Sequence, residues 1–243
     1  TIPELEQIAQ NTNPLVYVIV LRDPVERWLS GAAQAVYECS PNSPEFFMNW
    51  SDSLIFDTVA FDEHTPPNPN APYAVAKYAV EKYLEYMHRS QGFPFTAIRQ
   101  TNSYGRRDND FFVTEQIITQ MLRGDVVNLG YAEAYRNFLF IDDLLQAWLA
   151  VIEHPEACQG KIFTLGPDHP IKIRDYADMI AKKLNWSGTI NWNTKPMRHG
   201  EIYWLNSNHN LITATLGWAP KVSLSEGLDR TIEIWKNIID NKI

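Results

Sequence analysis

The sequence predicts an α/β protein with an incomplete parallel sheet and a smaller C-terminal lobe. Residues 15–21 and 95–99 form apolar runs with the composition of strands buried on both faces of a sheet. Between them, residues 73–89 have the period of an amphipathic helix. Such an alternation of strands and helices favours a parallel sheet, and 243 residues suffice for one large domain or two small ones.

The composition narrows the possible functions. The formal net charge of −8 argues against a general surface for nucleic acids or anionic membranes. The two cysteines, Cys39 and Cys158, form no metal-binding or disulfide pattern, which favours a reducing cytoplasm. The longest apolar run, residues 15–21, is too short to span a membrane. The chain starts at Thr1 without an initiator Met or a basic region, so we expect the interior of a longer chain rather than a signal peptide.

The first predicted strand runs directly into a helix with an arginine at its start. Asp23 suits the N-cap, the proline after it suits the first helical position, and the helical pattern continues to about residue 38. Arg22 is therefore expected beside the free N–H groups of a helix N-terminus, with Ser30 two turns further along, an arrangement that suits an anion. The alternative is that Arg22 pairs with Asp23 or Glu26, and these residues alone leave both open.

Residues 22–30 carry the pattern Arg-Asp-Pro-x-x-Arg-x-x-Ser after a hydrophobic strand. This pattern resembles the 3′-phosphate-binding motif of sulfotransferases. The resemblance implies that Arg22 and Ser30 hold the 3′-phosphate of a 3′-phosphoadenosine donor. The sulfotransferase loop that holds the donor's 5′-phosphosulfate normally precedes this strand, and these residues contain no such loop.

A proline-rich stretch ends at residue 72, and an amphipathic helical pattern starts there at once. Tyr73 and Lys77 are four residues apart, so they share a helix face. A lysine ammonium beside a phenol favours the phenolate, which makes Tyr73 a candidate acid or base for a proton on a substrate hydroxyl. A Tyr-x-x-x-Lys spacing also arises by chance between surface neighbours, so spacing by itself leaves both interpretations open.

The residues around this pair read Thr-Pro-Pro-Asn-Pro at 65–69, then Pro72, Tyr73 and Lys77. They closely resemble the active-site helix of extended short-chain dehydrogenases/reductases, the nucleotide-sugar epimerases and dehydratases, and the resemblance continues to about residue 235. It implies a partial Rossmann-like sheet with a small substrate lobe. It also implies a reaction in which NAD(P) takes a hydride from the sugar while Tyr73 removes a hydroxyl proton. Lys77 would favour the phenolate and contact the cofactor ribose.

A second motif of this family follows the predicted strand at 95–99. Residues 99–105 are similar to the family's Arg-x-x-Asn-x-Tyr-Gly segment. The resemblance implies that Asn102 faces the sugar nucleotide. Arg106 stands where the family more often has proline, as it does in some members.

Two arginines lie in stretches that resemble the diphosphate-contacting parts of the family. Arg136 begins a stretch similar to the motif Arg-Asp-Phe-x-x-Val-Asp-Asp, and Arg198 lies in a stretch similar to a second arginine segment. Both are therefore expected to meet the nucleotide diphosphate, a contact that suits a guanidinium fork. Asn137 replaces the usual aspartate, so an ion pair at that point is lost. Asp142 and Asp143 are expected to cap the helix that starts there.

The glycine-rich turn that holds the pyrophosphate of a dinucleotide is missing from this sequence. Only glycine lets backbone N–H groups approach a pyrophosphate that closely. The first 91 residues contain a single glycine, Gly31, which lies within a predicted helix. We therefore expect an epimerase/dehydratase-like protein that is weakly active or inactive as it stands, and that binds NAD(P) poorly by itself.

We interpret the chain as two partial resemblances joined near residues 61–67. Residues 1–62 form a sulfotransferase-like strand and helix, and residues 63–243 form the catalytic helix and substrate lobe of an epimerase/dehydratase. One alternative is that the whole chain is a diverged dehydrogenase in which residues 15–21 remain as one strand. A third is a non-catalytic subunit that binds a sugar nucleotide. Because the tyrosine helix of this family commonly forms a dimer interface, a homodimer through the Tyr73 helix is expected.

Overall fold

The structure is a computed structural model that describes residues 60–69, 71–107, 109–195 and 202–240. These residues form helices and strands that alternate along the chain. The helices are α1 (Pro72–Gln91), α2 (Val113–Arg123), α3 (Ile141–Glu153), α4 (Pro155–Cys158), α5 (Ile173–Leu184), α6 (Asn210–Leu216) and α7 (Leu224–Asp240). The strands are β1 (Thr96–Gln100), β2 (Asn102–Tyr104), β3 (Val126–Asn128), β4 (Tyr135–Arg136), β5 (Phe138–Phe140), β6 (Lys161–Leu165), β7 (Ile171–Lys172) and β8 (Thr189–Asn191).

The strands pair two by two, and two of these pairs are parallel. β2 pairs in parallel with β5, and β3 with β8, whereas β4 and β7 are antiparallel and β1 pairs with β6. Helix α2 follows β2 and helix α5 precedes β8, so the chain between parallel partners contains helices, as parallel pairing requires. The prediction of an α/β fold with parallel strands is confirmed.

The chain divides into two compact units. The smaller unit contains, among the described residues, 67–97 and 150–162. The larger unit contains residues 60–66, 98–149 and 163–240, again among those described. Within the described part of the chain, no helix is long and apolar enough to cross a bilayer.

Helix α1 dominates the smaller unit and begins and ends where its sequence predicts. Pro72 occupies its first turn, where proline's missing N–H has no helical partner to lose. Gly92 ends the helix with a left-handed φ of 66°, and its N–H donates to the His88 carbonyl at 2.9 Å. The His88 ring then packs edge-on against Phe95 and lies against Gly160, where a Cβ would sit 2.5 Å from His88 Nε2. Gly160 is therefore required for this packing.

The larger unit has a continuous apolar core between its helices α2, α5 and α7 and its strands. Tyr176 of α5 stacks flat on Phe138, with ring centroids 4.0 Å apart and an interplanar angle of 9°. Tyr104 is buried beside them, and a Cβ on Gly227 of α7 would lie 2.8 Å from its Cζ. Burial raises the pKa of the Tyr104 phenol far above its ordinary value. The tyrosine of the Asn-x-Tyr-Gly motif is thus a core residue.

The two aspartates at the start of α3 differ from the expected helix caps. Because α3 begins at Ile141 rather than at residue 143, both lie inside its first turn. The Asp143 carboxylate is buried and accepts the backbone N–H groups of Lys221 and Val222, each at 3.0 Å. Asp142 is exposed and lies 3.3 Å from Arg230 of α7. Asp143 therefore holds the turn before α7 rather than capping its own helix.

Candidate functional site

Tyr73 and Lys77 lie on one face of the first turns of α1, in the smaller unit. The Lys77 Nζ lies 5.3 Å from the centroid of the Tyr73 ring, within the range of a cation–π contact. Tyr73 is 61% exposed, and the described helix is covered so sparsely that Ala76 is its one buried residue. The phenol is therefore accessible to a ligand, with an ammonium group next to it.

The described residues just before the proline-rich stretch belong to the larger unit. Phe61 forms a parallel bridge with Ser207, and its N–H donates to the Asn206 carbonyl at 2.9 Å. The Glu63 carboxylate accepts the N–H and the hydroxyl of Thr164, at 2.7 and 2.9 Å. Residues 60–63 therefore pack as part of the same unit as residues 163–240.

Asn102 and Arg136 lie near each other in the larger unit. Asn102 begins β2 and is opposite Phe138, the first residue of β5. Arg136 ends β4 two residues before Phe138. Neighbouring strands lie about 4.8 Å apart and two residues span about 7 Å, so the Cα atoms of Asn102 and Arg136 lie within about 12 Å of each other. Both side chains are half-buried.

The three other predicted site residues, Arg22, Ser30 and Arg198, lie outside the described residues. The described chain resumes at Ile202, and its next residues run beside β4. The N–H of Tyr135 donates to the Tyr203 carbonyl at 2.7 Å, and the Tyr135 ring lies 4.6 Å from the Trp204 ring, centroid to centroid. The segment that follows Arg198 therefore pairs with the strand that carries Arg136.

A buried carboxylate holds the turn after Asn102, and sequence reasoning missed it. Glu115 of α2 is fully buried, and its Oε1 accepts the N–H groups of Gly105 and Arg106 at 3.1 and 3.0 Å. Burial raises the pKa of the Glu115 carboxyl. The Arg106 guanidinium lies 3.8 Å from Oε1, donates to the Ser103 hydroxyl at 2.7 Å and stacks over the Phe112 ring at 3.8 Å.

One signal in the sequence marks this carboxylate. Glu115 precedes Ile118 and Leu122 by three and seven residues, so it lies on the apolar face of its helix. A carboxylate on a core-facing position needs hydrogen-bond donors, and the adjacent Gly105–Arg106 turn supplies them. Arg106, which stands where the family more often has proline, therefore helps Glu115 to fix the conformation of this turn.

A family model described as "NAD dependent epimerase/dehydratase family" matches residues 31–166. The chain belongs to this family. The match contains Tyr73, Lys77, Asn102 and Arg136, and it begins inside the segment that was expected to be sulfotransferase-like. The motif of Arg22 and Ser30 lies before the match.

Curated relatives resemble the chain over about 180 residues. A putative UDP-glucose 4-epimerase of Methanocaldococcus jannaschii is 27% identical over 180 residues, which cover 72% of this chain and 57% of the relative. A GDP-6-deoxy-D-mannose reductase of Pseudomonas aeruginosa is 25% identical over 181 residues, 72% of this chain and 59% of the relative. The chain thus spans less than two thirds of the length of these proteins.

Solved structures show the same partial coverage. The UDP-glucuronic acid 4-epimerase of Bacillus cereus, in complex with UDP-glucuronic acid and NAD, has a TM-score of 0.70 at 25% identity and covers 75% of this chain and 58% of its own. The UDP-glucose 4-epimerase of Thermotoga maritima with UDP-glucose has a TM-score of 0.66 at 29% identity, covering 71% and 56%.

The described residues do not fit the pyrophosphate of the dinucleotide that the family name implies. Beside five of the described glycines, the protein's own atoms fill the space that a Cβ would occupy. These are Gly105, Gly160, Gly166, Gly188 and Gly227. The other described glycines have open space but follow helices or lie in a turn, at Gly92, Gly124, Gly130 and Gly217. None of them forms an open turn between a strand and a helix N-terminus, where a pyrophosphate binds. Within the described residues there is also no cluster of three potential metal ligands.

Proposed function

We propose that this chain carries the acid/base helix and the sugar-nucleotide lobe of an NAD-dependent nucleotide-sugar epimerase or dehydratase. The observation that carries the proposal is the pairing of Tyr73 with Lys77 on an accessible turn of α1, inside the region that matches the family. Because the chain spans less than two thirds of its relatives, we do not ascribe the turnover of a whole enzyme to these residues.

In this proposal Tyr73 exchanges a proton with a sugar hydroxyl. The adjacent Lys77 ammonium stabilises the phenolate that accepts that proton, because opposite charges favour each other at this separation. The guanidinium of Arg136 binds the nucleotide diphosphate, and the Asn102 amide bonds the sugar. NAD accepts a hydride in this family, but the described residues of this chain do not fit the cofactor's pyrophosphate.

Calorimetric titration with UDP, GDP and dTDP tests the diphosphate part of the proposal. We expect one of the three to bind, and Arg136→Ala to weaken it about tenfold or more, as expected for a lost charged hydrogen bond. Arg123→Ala is the matched control, since Arg123 is an exposed arginine of the same unit that pairs with Asp110. The proposal is wrong if none of the diphosphates binds, or if both variants bind like the parent.

We further propose that α1 mediates self-association. Tyr83 and Tyr86 are exposed on this helix, at 61% and 53%, with ring centroids 6.4 Å apart. Aromatic side chains are enriched in protein interfaces. The molar mass measured by light scattering is expected to be that of a dimer and to fall to the monomer value in a Tyr83→Glu, Tyr86→Glu variant. An unchanged mass would contradict an interface on this helix.

Cytoplasmic localisation stays a prediction from cysteine usage.

For the segment before residue 31 we propose a separate anion site at Arg22 and Ser30. The support is the motif Arg-Asp-Pro-x-x-Arg-x-x-Ser, which precedes the family match. Adenosine 3′,5′-bisphosphate is the probe, and its affinity should fall in Arg22→Ala. Equal affinity of parent and variant would show that no 3′-phosphoadenosine site operates there.

A further inference from the structure

The residue after Arg136 connects three segments of the larger unit. Asn137 is fully buried, with a relative exposure of 0%. Its Nδ2 donates to the Pro167 carbonyl at 2.8 Å, and its Oδ1 accepts the Ser207 N–H at 2.6 Å. One side chain thus joins the β4–β5 strand to the loop after β6 and to the segment that precedes α6.

The two bonded segments lie against each other at the same point. A Cβ on Gly166 would lie 2.9 Å from the Ser207 carbonyl carbon, so glycine is needed for this approach of two backbones. The His209 Nδ1 lies 2.8 Å from the Gly166 carbonyl oxygen. Asn137 therefore bonds to Ser207 and to the residue after Gly166, beside a contact in which the two backbones are too close for a side chain at residue 166.

The bonding pattern at Asn137 requires an amide. The partners are a carbonyl, which needs a donor, and an N–H, which needs an acceptor, and an amide supplies one of each. An ionised aspartate, the residue the family usually has here, supplies acceptors only. Its second oxygen would face the half-buried Pro167 carbonyl without a proton between them, which is unfavourable for both groups.

We propose that Asn137 is a positioning residue that sets the placement of Arg136 against the chain segment that follows Arg198. Arg136 is its immediate neighbour, and Ser207 lies on the stretch that also runs beside β4 through Tyr203 and Trp204. This proposal rests on the proposed function, in which Arg136 binds a nucleotide diphosphate. A neutral connection from the residue after Arg136 to Ser207 then takes the place of the ion pair that is lost at residue 137.

The test compares Asn137→Asp with Asn208→Asp in the full chain. Asn208 lies next to Ser207, and its Oδ1 accepts the Asn210 N–H, a bond that a carboxylate also makes, so the control adds the same charge without losing a donor. Asn137→Asp is expected to lower the melting midpoint at pH 7 by about 2–10 °C, and this deficit should shrink as the pH falls to about 4.5, because a protonated carboxyl donates to Pro167. The control should show neither effect. The titratable or charged groups on the segments around this amide include Asp62, Glu63, Arg136, Asp168, His169 and His209. Because parent and control share them, they cancel from the comparison.

Two further measurements separate positioning from stability alone. At a temperature where all proteins are folded, Asn137→Asp should bind the diphosphate about tenfold more weakly than Asn208→Asp does. In Asn137→Ala, amide exchange at Ser207 should accelerate, because its N–H loses its acceptor, while the Phe61 N–H bond to Asn206 is retained.

The outcomes distinguish the two proposals. If Asn137→Asp melts and binds like the control, the positioning role is wrong even though the parent binds a diphosphate. If the parent binds no diphosphate, the proposed function is wrong, and the link to Arg136 fails with it. Faster exchange at Ser207 together with weaker binding by Asn137→Asp would support the positioning role.

Discussion

The two units of this protein use polar side chains in different ways. In the smaller unit, Tyr73 and Lys77 lie on a helix with one buried residue among those described. In the larger unit, Glu115, Asn137 and Asp143 are buried, and each bonds to the backbone of a distant turn or loop. In the proposed function, the pair that meets the substrate is thus accessible, whereas the buried polar groups hold turns and loops of the larger unit in place.

The comparison predicts that substitutions in the buried set change stability, whereas substitutions in the exposed pair change chemistry. The first three predictions below concern the larger unit, and the fourth concerns the smaller one. In the larger unit each variant is paired with a control of the same residue type, so that the effect of position is separated from that of the side chain.

Asp143→Ala should have the largest effect on stability. The variant leaves the N–H groups of Lys221 and Val222 without their charged acceptor, at a cost of about 3 kcal/mol or more. At about 2–4 °C per kcal/mol for a chain of this size, the melting midpoint should fall by about 6–12 °C. Asp142→Ala is the control, because its exposed contact with Arg230 contributes less than about 1 kcal/mol. Equal shifts in the two variants would contradict the role assigned to Asp143.

Gly227→Ala is expected to lower the free energy of unfolding by about 1–3 kcal/mol, as overpacking of a core typically does. Its Cβ would collide with the Tyr104 phenol, as the 2.8 Å separation from Cζ indicates. Combining it with Tyr104→Phe, which removes the hydroxyl, should recover part of the loss. Gly130→Ala, where no atom lies within 4 Å of the added Cβ, should change the melting midpoint little. Denaturant unfolding of the parent, Gly227→Ala, Tyr104→Phe, the double variant and Gly130→Ala measures these differences, and additive losses in the double variant would argue against a direct collision.

The buried Glu115 should make the protein less stable as the pH rises, whereas the exposed Glu133 should make it more stable. Burial raises the pKa of Glu115, so the folded state holds its proton more tightly and the parent loses stability as pH rises above the ordinary range of the carboxyl. Glu115→Gln removes that loss. The melting midpoint of the variant relative to the parent should therefore rise as the pH increases from about 4 to about 7.

Glu133 provides the opposite case on the surface of the same unit. Its hydrogen bond to Lys172, with Arg174 nearby, lowers the pKa of Glu133, so its contribution is present above the ordinary pKa and is lost on acidification. The melting midpoint of Glu133→Gln relative to the parent should therefore fall as the pH rises from about 2 to about 5 and stay level above that. Thermal melts between about pH 2 and pH 7 measure both signs, and parallel curves for the two variants would overturn the assignment of a buried, disfavoured carboxylate.

Tyr73→Phe and Lys77→Ala should have the smallest effect on stability, within about 0.5 kcal/mol, because Tyr73 is exposed and Lys77 is only half-buried. Calorimetry should detect no micromolar NAD(P) binding by the parent chain. A pyrophosphate needs several backbone N–H donors, and one contact from Lys77 supplies about 1.5–3 kcal/mol of the roughly 8 kcal/mol that micromolar affinity requires. Micromolar binding that the double variant abolishes would show that the pyrophosphate has another binding site in this chain.

The sequence by itself determined the features that depend on residues close together along the chain. The period of the apolar positions predicted a helix over residues 73–89, within the observed α1 (Pro72–Gln91), and the proline at residue 72 marked its start. The shared face of Tyr73 and Lys77 follows from their spacing once a continuous helix is known. The motifs carried enough information to predict the family, because its characteristic residues are short strings.

Only the tertiary structure decided what the buried polar residues do. Asp143 looked like a helix cap, yet its bonds run to Lys221 and Val222, 78 and 79 residues further along the chain. Asn137 looked like a lost ion pair, yet its amide bonds the Pro167 carbonyl and the Ser207 N–H. A buried polar group must find partners wherever the fold brings backbone donors and acceptors to it, and that depends on strand pairing and helix packing rather than on adjacent residues.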